Sequence, residues 1–245
     1  MAHDFHTDFM KTADQPAHTN IHTRKRYSRL QQGLQAWKMA FQIPFFRWAA
    51  ILTCIAGLIL AYIAQLFFPY IQQRHGIVLH DPLLQWLPAY DVSAWLFGCL
   101  YLPMLGWLCM LLAYPRSLLQ VMMTIIILQT IRLITIWLIP LDPPAGCIVL
   151  HDPLINMIAY RHQPITHDLF FSGHTATMMA FYGAAPPRKK WWLGIWMGMV
   201  MALLLIQHAH YTIDLLAAML ISPAISTWVD VYLSSALEQL PTWGQ

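Results

Sequence analysis

The chain has 245 residues, 58% of them hydrophobic and only 10% charged, with a mean hydropathy of +0.49. Soluble domains carry roughly a quarter of charged residues, so this composition excludes an ordinary soluble domain and indicates an integral membrane protein. The net charge of +3 is too small to indicate a nucleic-acid partner, and residues 1–44 lack the apolar core of a cleavable signal peptide.

In chain order, residues 1–22 come first, with His3, His6, His18 and His22 at irregular spacing. They read as a disordered tail, a metal site without cysteine being the competing reading. Over about 24–41, Tyr27, Leu30, Leu34, Trp37 and Phe41 recur at helical spacing beside Arg and Lys. That pattern predicts an amphipathic helix, either on the inner membrane surface or docked on the bundle. Six apolar stretches follow: Trp48 to Phe68, Val92 to Ala113, Leu118 to Ile139, Leu169 to Ala185, Trp191 to Gln207 and Tyr211 to Leu233. Each approaches the roughly 20 residues needed to cross a bilayer. Pro115, Pro140, Pro186 and Pro187 stand at their edges, and Pro103 inside the second predicts a kink. The expected fold class is therefore all-α, a polytopic bundle of six transmembrane helices over 45–235, with a tail at 1–44 and another at 236–245.

Basic residues set the expected topology. With the N-terminus cytoplasmic, Lys11, Arg24, Lys25, Arg26, Arg29, Lys38, Arg47, Arg116, Arg188, Lys189 and Lys190 fall inside, against Arg74 and Arg161 outside. Both termini are then cytoplasmic, and the loops 69–91 and 140–168 and the turn at His208 to His210 face the extracytoplasmic side. Cys54, Cys99 and Cys109 lie in spans and Cys147 alone in an outer loop, which argues against structural disulfides. Both outer loops contain one identical string, Ile77-Val-Leu-His80-Asp81-Pro82-Leu83 and Ile148-Val-Leu-His151-Asp152-Pro153-Leu154. Asp-Pro in each copy suits the cap and first turn of a short helix; the functional alternative places His80 or His151 at a headgroup entrance.

Ionisable residues in hydrocarbon are costly and mark functional sites by default. Arg132, His174 and Asp214 are expected about 10, 8 and 5 Å below the outer ends of their spans, in one layer. A buried arginine needs an anion, and a phosphate suits the guanidinium fork. Gln129 and Thr135, each three residues from Arg132, are placed to complete that pocket. His210 and Asp214 are four apart, adjacent on one face if the last helix begins near Ala209. An aspartate fixing one imidazole nitrogen leaves the other free to attack. Ser172-Gly173-His174-Thr175 joins a hydroxyl, a flexible residue and a histidine suited to proton transfer, with backbone N–H groups available to an anion. Taken singly, Arg132 reads equally as an ion-pair member and His174 as a satisfied core residue.

Asp168 with Ser172-Gly173-His174-Thr175, and His208-Ala-His210-Tyr211-Thr-Ile-Asp214 some 35 residues on, resemble the last two signature motifs of the sphingomyelin synthase branch of the type 2 phosphatidic acid phosphatase (PAP2) superfamily. Gln129-Thr-Ile-Arg132-Leu-Ile-Thr135 with Pro140 resembles that branch's preceding motif, and the likeness extends over roughly 48–235. It implies a six-helix membrane enzyme working without metal or other cofactor at the exoplasmic face. It further implies His210 as a nucleophile forming a phosphohistidine, Asp214 as its orienting partner and His174 as acid and then base. Arg132, Gln129, Asp168, Ser172, Gly173, Thr175 and Tyr211 would hold the phosphate and headgroup; His208 also matches. The implied partners are a membrane phospholipid donor and a lipid alcohol acceptor, ceramide-like or diacylglycerol-like; a homo-oligomer is allowed but not specified. The wider superfamily's Lys-x6-Arg-Pro motif and its Ser-Arg pair are absent, Leu203 and Leu204 standing where the latter would be. This favours a transferase over a plain phosphatase or phospholipase C. A haem protein and a transporter are the competing classes; clustering of the ionisable groups near one surface opposes the first, and the lack of an inverted repeat of broken helices opposes the second.

Overall fold

In a computed structural model, residues 29–150 and 165–242 are described. They form eight helices: α1 (Arg29–Gln42), α2 (Pro44–Ile71), α3 (Pro82–Trp86), α4 (Ser93–Leu111), α5 (Pro115–Leu138), α6 (Gly173–Ala184), α7 (Pro187–Ile206) and α8 (Thr212–Leu237). No strand occurs among the described residues; a single parallel bridge between Ile77 and Leu141 joins two loops. Proline opens α2, α3, α5 and α7, where its missing N–H costs nothing and its fixed φ suits the first turn.

Five helices, α2, α4, α5, α7 and α8, are long and apolar enough to cross a membrane. The chain is thus an all-helical integral membrane protein. The fourth apolar stretch, expected over 169–185, is helical only over the 12 residues of α6, about 18 Å of rise. Its first residues are not helical, and carbonyls there are taken by α5 side chains: Phe171 O by Arg132 and Phe170 O by Thr135. Helices α5, α6 and α8 pack against one another as the centre of the bundle, with α2 on α5 and α4 and α7 alongside. Their contact is filled by Val121, Leu128, Phe171, Ala176, Ala180, Phe181 and Ala218. Small residues let the axes approach: Gly183 of α6 lies so close to Ser226 of α8 that a Cβ there would overlap its side chain.

Helix α1 docks on the bundle. Its Ala36 and Ala40 are buried and Trp37 Nε1 donates to Leu112 O at 2.7 Å, while Leu34 and Phe41 are exposed. The histidines of the first 22 residues, Arg24 to Arg26, Tyr27, Arg161 and residues 151–154 of the second repeat lie outside the described residues.

Because the long helices alternate in direction, the loops 72–92, 139–150, 165–172 and 207–211 gather at one end. They are bonded to one another there. Ile77 N donates to Pro140 O at 3.0 Å, Tyr90 N to Ile206 O at 3.1 Å and Val92 N to the Gln207 side chain at 2.8 Å. His208 sits at φ 53° in the turn before α8, a conformation uncommon outside glycine. Its ring nitrogens lie 2.8 Å from Ala145 O and 2.9 Å from Leu87 O, which pins the turn to both loops.

Candidate active site

Ser172 and Tyr211 are the N-caps of α6 and α8, and the chemistry sits around them. Ser172 Oγ accepts from Thr175 N at 3.4 Å and from the Thr175 hydroxyl at 3.2 Å. Both hydroxyls are fully buried in this cap and shape the start of α6. Gly173 and His174 follow as the first two residues of α6, whose opening amides have no intrahelical acceptor. His174 is half-buried.

On α8, Asp214 occupies the third helical position and is completely buried. Its Oδ2 lies 3.2 Å from His210 Nδ1 and accepts Tyr211 N at 2.9 Å. The expected His210–Asp214 contact therefore exists, though α8 begins at Thr212 and not near Ala209. The carboxylate reaches back over the helix start, as in a capping box, to hold a histidine that precedes the helix. His210 is 3% exposed and its Nε2 makes no hydrogen bond among the described residues. The His174 and His210 rings lie edge to face, with centroids 6.5 Å apart at 70°. Asp214 also joins the two motifs through its backbone, its carbonyl accepting Ser172 N at 3.2 Å.

Arg132 of α5 forms the other flank. Its Nε donates to Phe171 O at 2.6 Å, and its Nη2 pairs with the Asp168 carboxylate and reaches Asp168 O at 3.4 Å. A carboxylate, that of Asp168, lies against Arg132. A Cβ on residue 173 would come within 3.0 Å of Arg132 Cζ, so glycine lets the guanidinium lie closely against the start of α6. The Thr135 hydroxyl donates to the carbonyls of Arg132 and Phe170 at 3.0 Å each, and the Gln129 side chain makes no hydrogen bond among the described residues.

Tyr211 does not face the reacting side chains. Its hydroxyl donates to Asp142 O at 2.9 Å and accepts Leu79 N at 3.2 Å. Burial, with the carboxylates of Asp214, Asp142 and Asp81 nearby, pushes the phenol above its usual pKa, so it stays a neutral donor. The residues that sequence reasoning missed lie behind the site. His167 Nε2 lies 3.1 Å from Asp142 Oδ1, and Gln72 Oε1 accepts Thr166 N at 2.9 Å, together fixing the segment that carries Asp168. Asp142 and Gln72 carry no local signal in the sequence that would have found them.

The segment holding both histidine motifs decides the comparison with known families. Residues 167–232 match the family described as PAP2 superfamily C-terminal. This PAP2 match spans Asp168, His174, His208, His210 and Asp214 and supports superfamily membership and a phosphatase-type enzyme; it ends well short of the whole chain. No curated protein matches the chain.

Proposed function

We propose that the protein is a lipid phosphotransferase, moving a phospho-headgroup from a glycerophospholipid to a lipid alcohol, ceramide-like or diacylglycerol-like, through a phosphohistidine. The observation that carries this reading is His210 held through Nδ1 by buried Asp214, with Nε2 unbonded and His174 opposite. In the first half-reaction His210 Nε2 attacks phosphorus, the bond from phosphorus to the lipid oxygen breaks, and His174 gives that oxygen a proton. In the second, the acceptor hydroxyl attacks phosphorus, His174 takes its proton, and the phosphorus–nitrogen bond breaks. Asp214 compensates the imidazolium charge while the intermediate stands. Arg132 and the first amides of α6 are the groups suited to the phosphate oxygens; Ser172, Thr175 and Tyr211 serve as frame. The distribution of Lys and Arg supports cytoplasmic termini and an extracytoplasmic site.

A second reading, hydrolysis with water as acceptor, is favoured by the matched family's phosphatase character; the missing Ser-Arg pair before His210 favours transfer. Membranes containing the full chain, given labelled phospholipid with fluorescent ceramide and diacylglycerol, should yield a headgroup-bearing acceptor. His210→Ala or Asp214→Ala should abolish it, and an acid-labile, alkali-stable phosphoryl adduct should be trapped on His210. Free phosphate from phosphatidic acid as the sole product would instead establish the phosphatase reading, and no turnover across a broad lipid panel would remove the enzyme reading.

A further inference from the structure

The repeated string Ile77 to Leu83 is not used by any of these steps, yet its first copy grips the residues beside the nucleophile. Asp81 is the N-cap of α3, its Oδ1 accepting Leu83 N at 3.0 Å and Leu84 N at 3.4 Å. That alone would be an ordinary cap, a task serine performs equally well. The same carboxylate also reaches a residue 131 positions away: Oδ2 accepts Thr212 N at 2.6 Å and Oδ1 accepts the Thr212 hydroxyl at 3.1 Å. Thr212 is the first residue of α8 and stands two residues after His210. Tyr211, between them, is held by Leu79 N of the same string. The loop therefore fastens the two consecutive residues that connect His210 to the helix bearing Asp214.

We propose that Asp81 is a positioning residue for His210: by clasping Thr212 it fixes where α8 starts, and with it the distance and angle at which His210 meets Asp214 and His174. The inference rests on the reading of His210 as nucleophile. The chemistry of the clasp is specific. An ionised carboxylate accepts on both oxygens and donates from neither; here Oδ1 takes the Leu83 and Leu84 amides and the Thr212 hydroxyl, and Oδ2 the Thr212 amide. An asparagine would turn an NH2 group towards donors. A serine would keep the α3 cap but cannot span to Thr212. Replacement by serine thus separates the local task of Asp81 from the long-range one.

The test uses the purified full chain in phospholipid nanodiscs, comparing wild type with Asp81→Ser, Thr212→Val and Thr212→Ser. Three quantities are read: kcat and KM for lipid transfer, the thermal midpoint, and the rate at which diethyl pyrocarbonate modifies His210 relative to His174. Asp81→Ser is expected to lower kcat by about 10²-fold, the effect of small misplacement of a reacting group, with KM and midpoint near wild type and His210 labelled several-fold faster relative to His174. Thr212→Val, which loses only the hydroxyl bond, should fall between, and Thr212→Ser should restore wild-type behaviour. Unchanged kcat and unchanged relative labelling in Asp81→Ser overturn the proposal. So does a lowered midpoint with His210 and His174 labelled alike, which would make Asp81 a folding residue only. Should wild type turn over no lipid, the functional reading fails, while the labelling ratio still decides whether Asp81 positions His210.

Discussion

Helix α5 carries two buried arginines sixteen residues, or about 24 Å, apart, and each meets an aspartate. Arg116 pairs with Asp230 of α8 at 3.2 Å and donates to Ser234 at 2.7 Å, both partners standing on one regular helix. Asp230 is 47% exposed at its side chain. Arg132 pairs with Asp168, both side chains nearly sealed at 7% and 10% exposure, and it donates to carbonyls of the non-helical segment before α6. The same kind of ion pair thus does two tasks. Arg116 brackets two helices at the end away from the site, whereas Arg132 fastens a helix to the non-helical segment that delivers Gly173 and His174.

The strongest way to break this comparison is to remove each arginine in turn. Arg132→Met leaves the Asp168 carboxylate buried without its charge partner, which should cost about 3–5 kcal/mol. Arg116→Met leaves a half-exposed carboxylate and should cost about 1 kcal/mol or less. Unfolding followed in mixed micelles measures both. Adding Asp168→Asn to Arg132→Met should recover much of the loss, while adding Asp230→Asn to Arg116→Met should change little. Equal costs at the two ends would mean that burial does not distinguish them.

A smaller, sharper contrast comes from two glycines of α6. Alanine at Gly183 would overlap the Ser226 side chain of α8, and overpacking of this kind costs about 1–3 kcal/mol. Alanine at Gly173 meets Arg132 Cζ at 3.0 Å, which requires a shift of only a few tenths of an ångström, but in a guanidinium fixed by Phe171 and Asp168. Gly183→Ala should therefore lower the thermal midpoint more, and Gly173→Ala should lower turnover more while sparing the midpoint. Thermal scans and lipid transfer on the same preparations check both halves.

These contrasts mark what could be read from the chain alone. The long apolar helices were legible because twenty apolar residues in succession have few other uses. The start of α6 was not: Leu169-Phe-Phe171 is as apolar as any span, but its carbonyls are spent on Arg132 and Thr135, a tertiary fact. Spacing paired His210 with Asp214, although the structure achieves it through a carboxylate at a helix start reaching back to a residue before the helix, and not through successive turns of one helix. Arg132, His174 and Asp214 come together around two helix caps, at Ser172 and Tyr211. Asp168 as the partner of Arg132 is one motif residue meeting another, yet composition offered a phosphate equally well. The Asp81–Thr212 clasp had half a signal: Asp-Pro announced a cap, and nothing announced a contact across 131 residues.

The smallest expected effect concerns that clasp and pH. Burial alone would raise the Asp81 carboxyl, but bonds from the Thr212 amide and hydroxyl and from the Leu84 and Leu83 amides outweigh it and hold the group below the usual carboxylate range. A depressed folded value means that the clasp contributes stability above the unfolded carboxylate pKa of about 3.9 and loses it as pH falls through the lower folded value. Amide exchange at Thr212 should therefore keep a constant protection factor from neutral pH down to about pH 4 and lose protection below. Asp81→Ser should show weaker protection with no such step. The modest size follows from the partial exposure of Asp81, where water competes for the carboxylate. A protection factor at Thr212 that stays flat well below that range in wild type would mean that the neutral carboxyl holds the start of α8 as well as the ion does. The start of α8 would then depend on hydrogen-bond geometry more than on the charge of the carboxylate.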